Sequence, residues 1–169
     1  AQLAGNYAVN GSDARGQAYR GSLSISAAGQ AWKLQWDRGG KPLPGIGLVL
    51  DRRTLAVAYG GADCGVIAYR GRPEGGLDGL WVLPEGGSLG TERATPGVDK
   101  TRGLSGDYIV DGINPDGTGY KGAMYMRADG SYWKLSWRTL TNFEGIGIER
   151  EGQLIAAYGE AGCTVAAYR

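Results

Sequence analysis

Trp32-Lys33-Leu34-Gln35-Trp36 returns 101 residues later as Trp133-Lys134-Leu135-Ser136-Trp137. Side chains of an extended strand alternate between two faces, so Trp32, Leu34 and Trp36 share one face and Lys33 and Gln35 the other. The same division holds for Trp133, Leu135 and Trp137 against Lys134 and Ser136. Neither stretch carries the capping residues of a helix of useful length. The chain reads as a β unit written twice.

Outward from the tryptophans, the first unit, residues 3–70, holds alternating runs at Gly5 to Val9, Tyr19 to Ile25, Gly45 to Leu50, Leu55 to Tyr59 and Val66 to Tyr69, separated by Gly, Pro, Asn and Asp turns. The second unit, residues 104–169, keeps the order. Tyr7, Val9, Gly11, Tyr19 and Gly21 meet Tyr108, Val110, Gly112, Tyr120 and Gly122 at an offset of 101, and Leu55, Tyr59, Cys64 and Tyr69 meet Leu154, Tyr158, Cys163 and Tyr168 at 99. The offset changes only in loops, because a one-residue slip within a strand would turn its apolar set to the wrong face. Residues 71–103 join the units through a hairpin over Leu77 to Arg93 and a linker over Ala94 to Arg102.

These runs predict an all-β fold, an antiparallel barrel or curled double sheet of roughly 14 short strands built from two repeats about a pseudo-two-fold axis. Units of about 65 residues lie near the lower limit of independent stability, which favours one domain over residues 1–169 with a common core against two small barrels. The hairpin, which has no counterpart after residue 169, is expected to close a sheet that both halves share.

Composition narrows the function. Lys and Arg total 18 against 17 for Asp and Glu, so no global charge points to nucleic acid or an anionic surface. Residues 1–70 carry 8 basic and 4 acidic groups, net +4, and residues 104–169 carry 6 and 8, net −2, which favours packing of one unit on the other. The absence of histidine removes the usual general base and the commonest transition-metal ligand. The chain is therefore read as non-enzymatic, without cofactor or metal. No apolar run approaches the ~20 residues that cross a bilayer. The start, Ala-Gln-Leu-Ala-Gly, reads as a mature chain after removal of a signal peptide.

Asp111-Gly112-Ile113-Asn114-Pro115-Asp116-Gly117 lacks the spacing and distal glutamate of a calcium loop and reads as a turn. Cys64 and Cys163 hold equivalent places, which leaves two readings, a disulfide joining the halves or two separate buried thiols. Trp32, Trp36, Trp133 and Trp137 with Tyr19, Tyr120, Tyr59 and Tyr158 either fill a sheet core or line an aromatic pocket for a small apolar or aromatic ligand.

Gly-x-Tyr-x-Val-x-Gly, Asn-Pro-Asp-Gly-x-x-Tyr-x-Gly, Trp-x-Leu-x-Trp, Gly-Ile-Gly, Leu-x-x-Ala-Tyr-Gly and Cys-Gly-Val-x-x-Tyr, followed by Leu77-Asp78-Gly79-Leu80-Trp81 and Gly90-Thr91-Glu92, resemble a family of exported proteobacterial β-repeat proteins, many labelled fibronectin-binding. The resemblance spans nearly the whole chain and departs at Cys163-Thr164-Val165. It implies a periplasmic or secreted location and carries over no active residues. The leading expectation is an exported barrel binding a small ligand in its aromatic interior. The alternatives are a secreted protein-interaction or adhesion module and, third, a carbohydrate-binding protein.

Overall fold

The computed structural model describes residues 2–99, 103–159 and 162–169. Fourteen strands follow in order: β1 (Gly5–Ser12), β2 (Ala18–Ala28), β3 (Ala31–Asp37), β4 (Pro42–Leu50), β5 (Thr54–Tyr59), β6 (Gly65–Gly71), β7 (Leu77–Val82), β8 (Gly90–Pro96), β9 (Gly106–Ile113), β10 (Gly119–Asp129), β11 (Tyr132–Arg138), β12 (Asn142–Arg150), β13 (Gln153–Gly159) and β14 (Thr164–Tyr168). They form two antiparallel sheets. One is curled and open, in the order β1-β2-β3-β4-β5-β14, and the other is a closed eight-stranded barrel, β10-β11-β12-β13-β6-β7-β8-β9.

The alternation read in the tryptophan strands is the alternation observed. Leu34 and Trp36 are buried while Lys33 and Gln35 are not, and Leu135 and Trp137 repeat this in the barrel. Each pair of tryptophans faces strand glycines: Trp32 stands opposite Gly47 and Trp133 opposite Gly147. The diagonal neighbours matter as much. A Cβ on Gly45 would lie 2.6 Å from the Trp36 ring, and one on Gly145 would lie 2.7 Å from the Trp137 ring. These glycines let an indole lie flat across the neighbouring strand.

The sixth strands are exchanged. β6, from the first unit, pairs with β13 of the second, and β14, from the second, pairs with β5 of the first. The hairpin β7–β8 then bridges β6 to β9 and closes the barrel, so the closed sheet does take strands from both units. The linker is shorter than the sequence suggests. Ala94, Thr95 and Pro96 pair with Val110, Ile109 and Tyr108 and extend β8, and part of the expected linker, residues 100–102, lies outside the described residues.

Three apolar clusters result. One fills the barrel, around Ile67, Tyr69, Met124, Met126 and Leu135; a second lines the concave side of the curled sheet, around Leu23, Ile25, Leu34, Trp36 and Val57. The third lies between the sheets and uses the opposite faces of the same strands, with Ile46, Leu48, Ala56, Ala58, Val66, Ala68, Ile155 and Ala157. Strands buried on both faces read as unbroken apolar runs, which explains Leu55-Ala56-Val57-Ala58-Tyr59 and Leu154-Ile155-Ala156-Ala157-Tyr158. The alanines allow close approach of the sheets. Because the sixth strands are exchanged, two ion pairs bridge the sheets, Arg70 with Asp51 and Arg169 with Glu151; both are exposed, so charge contributes little at this junction.

Cys64 and Cys163 are joined by a disulfide, with Cα atoms 5.6 Å apart. Each cysteine directly precedes an exchanged strand, so the bond ties the two crossing points together. A second tie is made of backbone. Gly87 N–H donates to the Ala28 carbonyl and Gln30 N–H to the Gly87 carbonyl, both at 2.9 Å, fixing the β7–β8 turn to the β2–β3 turn. Gly29 is required there, because its Cβ would fall 2.7 Å from the Gly87 Cα.

Candidate functional site

The barrel interior is organised by one row of cross-strand partners. Leu154 pairs with Tyr69, Tyr69 with Gly79, Gly79 with Glu92, Glu92 with Gly112, and Gly112 with Tyr120. Two tyrosines thus flank a carboxylate with a glycine between each pair. The glycines are steric necessities: a Cβ on Gly79 would lie 2.8 Å from the Tyr69 ring, and one on Gly112 would lie 2.0 Å from the Tyr120 ring. Both phenols lean over a glycine and converge on Glu92.

Glu92 is 5% exposed. Its phase in β8 explains this, since Gly90, Glu92 and Ala94 face inward while Thr91, Arg93 and Thr95 face out. The Tyr69 hydroxyl donates to Oε2, and the Tyr120 hydroxyl donates to Oε1 at 2.9 Å. The Trp137 indole N–H donates to the Tyr69 oxygen at 3.0 Å, which directs the Tyr69 proton toward the carboxylate. Burial raises the pKa of Glu92 and outweighs the hydrogen bonds from Tyr69 and Tyr120, which act to lower it. Burial also pushes the Tyr69 and Tyr120 hydroxyls up, and the nearby carboxylate adds to the effect.

Above this network the barrel opens into a cavity of about 290 Å³. Trp81, Tyr120, Trp137, Phe143 and Tyr158 form its aromatic wall, and Glu92 is its charged group. The rings meet edge to face: Trp81 with Tyr120 at 6.2 Å and with Tyr158 at 6.4 Å, and Phe143 with Tyr158 at 5.6 Å. Edge-to-face pairs of this kind are a favoured geometry and fix the rings relative to one another. The Tyr158 hydroxyl donates to the Val82 carbonyl at 2.7 Å, which locks that ring against β7. Leu140, fully exposed on the β11–β12 turn, and Asn114 on the β9–β10 turn lie at the rim.

The eight aromatic residues singled out from the sequence divide between the sheets. Tyr120, Trp137 and Tyr158 line the cavity. Trp133 packs against the barrel core at one end, its indole N–H donating to Glu149 at 2.8 Å. Trp32, Trp36, Tyr19 and Tyr59 belong to the curled sheet, where the Trp36 and Tyr59 rings lie 5.4 Å apart and the Arg38 guanidinium sits 4.5 Å over the Tyr19 ring. The structure therefore brings together three of the eight expected pocket residues and adds Trp81, Phe143 and Glu92, with Tyr69 holding Glu92 from beneath. The signal for Glu92 was present, an acid on the apolar phase of an alternating strand. The Asn114–Thr118 turn is a turn, closed by Gly117 N–H to the Asn114 carbonyl and by Asp116, which accepts from the Thr118 amide and hydroxyl.

The fold and site together define an eight-stranded antiparallel barrel with an aromatic cavity built over a buried carboxylate. No family model matches the chain, and no curated protein or solved structure does.

Proposed function

We propose that the barrel mouth binds a small ligand that has a flat apolar body and an N–H or ammonium group, without chemical conversion, in a protein that works in the periplasm or outside the cell. The observation that carries this reading is the placement of Glu92 beneath the aromatic wall of the cavity. Apolar pockets with a few convergent polar groups are the usual form of small-molecule sites. Each Glu92 oxygen accepts one phenol hydrogen bond and keeps acceptor capacity for a ligand. A donor arriving there compensates for the burial that disfavours the ionised carboxyl, and a planar body stacks among Trp81, Trp137 and Tyr158. The Cys64–Cys163 bond supports an oxidising compartment, in keeping with the resemblance to exported repeat proteins.

Titration calorimetry with tryptamine, indole and indole-3-acetate tests the chemistry. Tryptamine is expected to bind at least 10-fold more tightly than indole, with indole-3-acetate weakest, and Glu92→Gln to abolish the preference for the amine. If none of the three binds, and native mass spectrometry of protein purified from its source shows no bound small molecule, the reading fails.

A further inference from the structure

The curled sheet is a barrel with two strands left out, and the closed barrel shows which two. In the barrel, β6 and β9 are bridged by β7–β8. In the curled sheet the strands at the corresponding places, β14 and β1, are the two edges and have no further partner strand among the described residues. Their registers are the same. Tyr168 pairs with Leu55 as Tyr69 pairs with Leu154, and Gly11 pairs with Tyr19 as Gly112 pairs with Tyr120. The barrel row Leu154, Tyr69, Gly79, Glu92, Gly112, Tyr120 therefore recurs as Leu55, Tyr168, two vacant places, Gly11, Tyr19.

The side chains beside the gap are prepared in the same way. A Cβ on Gly11 would lie 2.5 Å from the Tyr19 ring, so Tyr19 leans over its glycine toward the gap as Tyr120 leans toward Glu92. What differs is cover. Tyr69 and Tyr108 are each 1% exposed, whereas their counterparts Tyr168 and Tyr7 are 38% and 41% exposed. Tyr7 nevertheless keeps the hydrogen bond to the carbonyl four residues back that Tyr108 makes, Tyr7 to Leu3 at 2.7 Å and Tyr108 to Leu104 at 2.9 Å. The local conformation is the same, and the difference lies in the strands that cover Tyr69 and Tyr108 in the barrel. The curled sheet also holds a cation where the barrel has none: Arg38 lies over Tyr19, in the place of Thr139.

We infer that the gap between β14 and β1 is a docking site for a β-hairpin, one strand reading Leu-x-Gly-x-Trp and the other Gly-x-Glu, held in the register that β7–β8 keeps between β6 and β9. The glycine of the first strand faces Tyr168, and the glutamate of the second faces Gly11. There the glutamate accepts from Tyr168 and Tyr19 and meets the positive charge of Arg38. Edge strands offer unpaired N–H and C=O groups to an added strand, and side-chain pockets select its sequence. A second copy of the chain is a poor occupant, because its own hairpin of this pattern is already paired on both sides within its barrel.

The probe is a dye-labelled peptide of residues 71–96, added to the full chain and followed by fluorescence anisotropy. Saturable binding is expected, weakened at least 10-fold by Glu92→Gln in the peptide and at least 5-fold by Arg38→Gln in the protein, an exposed position unconnected with the barrel cavity. In parallel, a second copy of residues 71–96 is appended behind Arg169. The appended chain is expected to slow hydrogen exchange of the outward-facing amides of β1 and β14 at least 10-fold. Binding of a scrambled peptide with equal affinity overturns the inference. So does unchanged exchange in the appended chain combined with no peptide binding, and so does a self-dimer in sedimentation that the peptide fails to displace, which assigns the face to a second copy.

Discussion

Glu92→Gln replaces the barrel's buried carboxyl with an amide of nearly the same size, and its effect on stability depends on pH in a direction that the structure fixes. Burial raises the pKa of Glu92 in the folded chain, against the smaller lowering by Tyr69 and Tyr120. An unfolded glutamate titrates near ~4.3. Between that value and the higher folded one, the native state holds a proton that the unfolded state has released, so the stabilisation is complete below the unfolded pKa and is lost as pH rises through the folded pKa. In that interval the slope approaches about 1.4 kcal/mol per pH unit. Glutamine has no such dependence. The unfolding free energy of the wild type minus that of Glu92→Gln is therefore expected to fall as pH rises from about 4, and then to level. Urea unfolding followed by tryptophan fluorescence at a series of pH values measures it. The subtraction cancels Asp51, Glu74, Asp116 and Glu144, whose carboxyls are held low by their hydrogen-bond partners and act in the opposite sense. A flat difference would mean that Glu92 is solvated in the native state, and a rising one that the phenol hydrogen bonds outweigh burial; either refutes the reasoning.

Replacing both Cys64 and Cys163 with alanine opens a loop of sequence separation 99 and is expected to cost about 4 to 5 kcal/mol. Calorimetry should show a fall in Tm of roughly 10 to 15 °C, and a loss below about 1 kcal/mol would discount the chain-closure account. Gly112→Ala places a methyl group 2.0 Å from the Tyr120 ring, so a loss of about 1 to 3 kcal/mol in urea unfolding is expected, together with weaker tryptamine binding as the phenol leaves Glu92. Ala157→Leu, between the sheets at full burial, is expected to cost a similar ~1 to 3 kcal/mol while leaving tryptamine affinity unchanged, which separates damage to the junction from damage to the cavity.

The strands were legible because a half-buried strand writes its two faces in alternate residues, and Trp32 to Trp36 or Tyr19 to Ile25 do so plainly. The exchange of β6 and β14 was not. Gly65-Val66-Ile67-Ala68-Tyr69 and Thr164-Val165-Ala166-Ala167-Tyr168 offer the same alternation and the same terminal tyrosine, so either satisfies β5 or β13 in identical register. Periodicity specifies how a strand pairs but cannot choose between two equivalent partners. The cavity was legible only in part for a related reason. Repeated tyrosines and tryptophans are visible as pairs, whereas Glu92 and Trp81 come from the hairpin, which occurs once and so has no echo to mark it. The glycines at 79 and 112 read as strand irregularities until the row is assembled, when they prove to be the space that two phenols occupy.

Because β5 takes its neighbour from a strand of the second unit, the order of synthesis matters. A ribosome delivers β1 to β5 long before β14, and for most of that time the nascent sheet displays a raw flank at β5, open to any passing extended segment. Removing residues 164–168 would bare the same flank in the folded molecule. The five-residue strand at residues 164–168 therefore acts as a keystone set late, and a protease acting there would undo the opposite unit instead of its own.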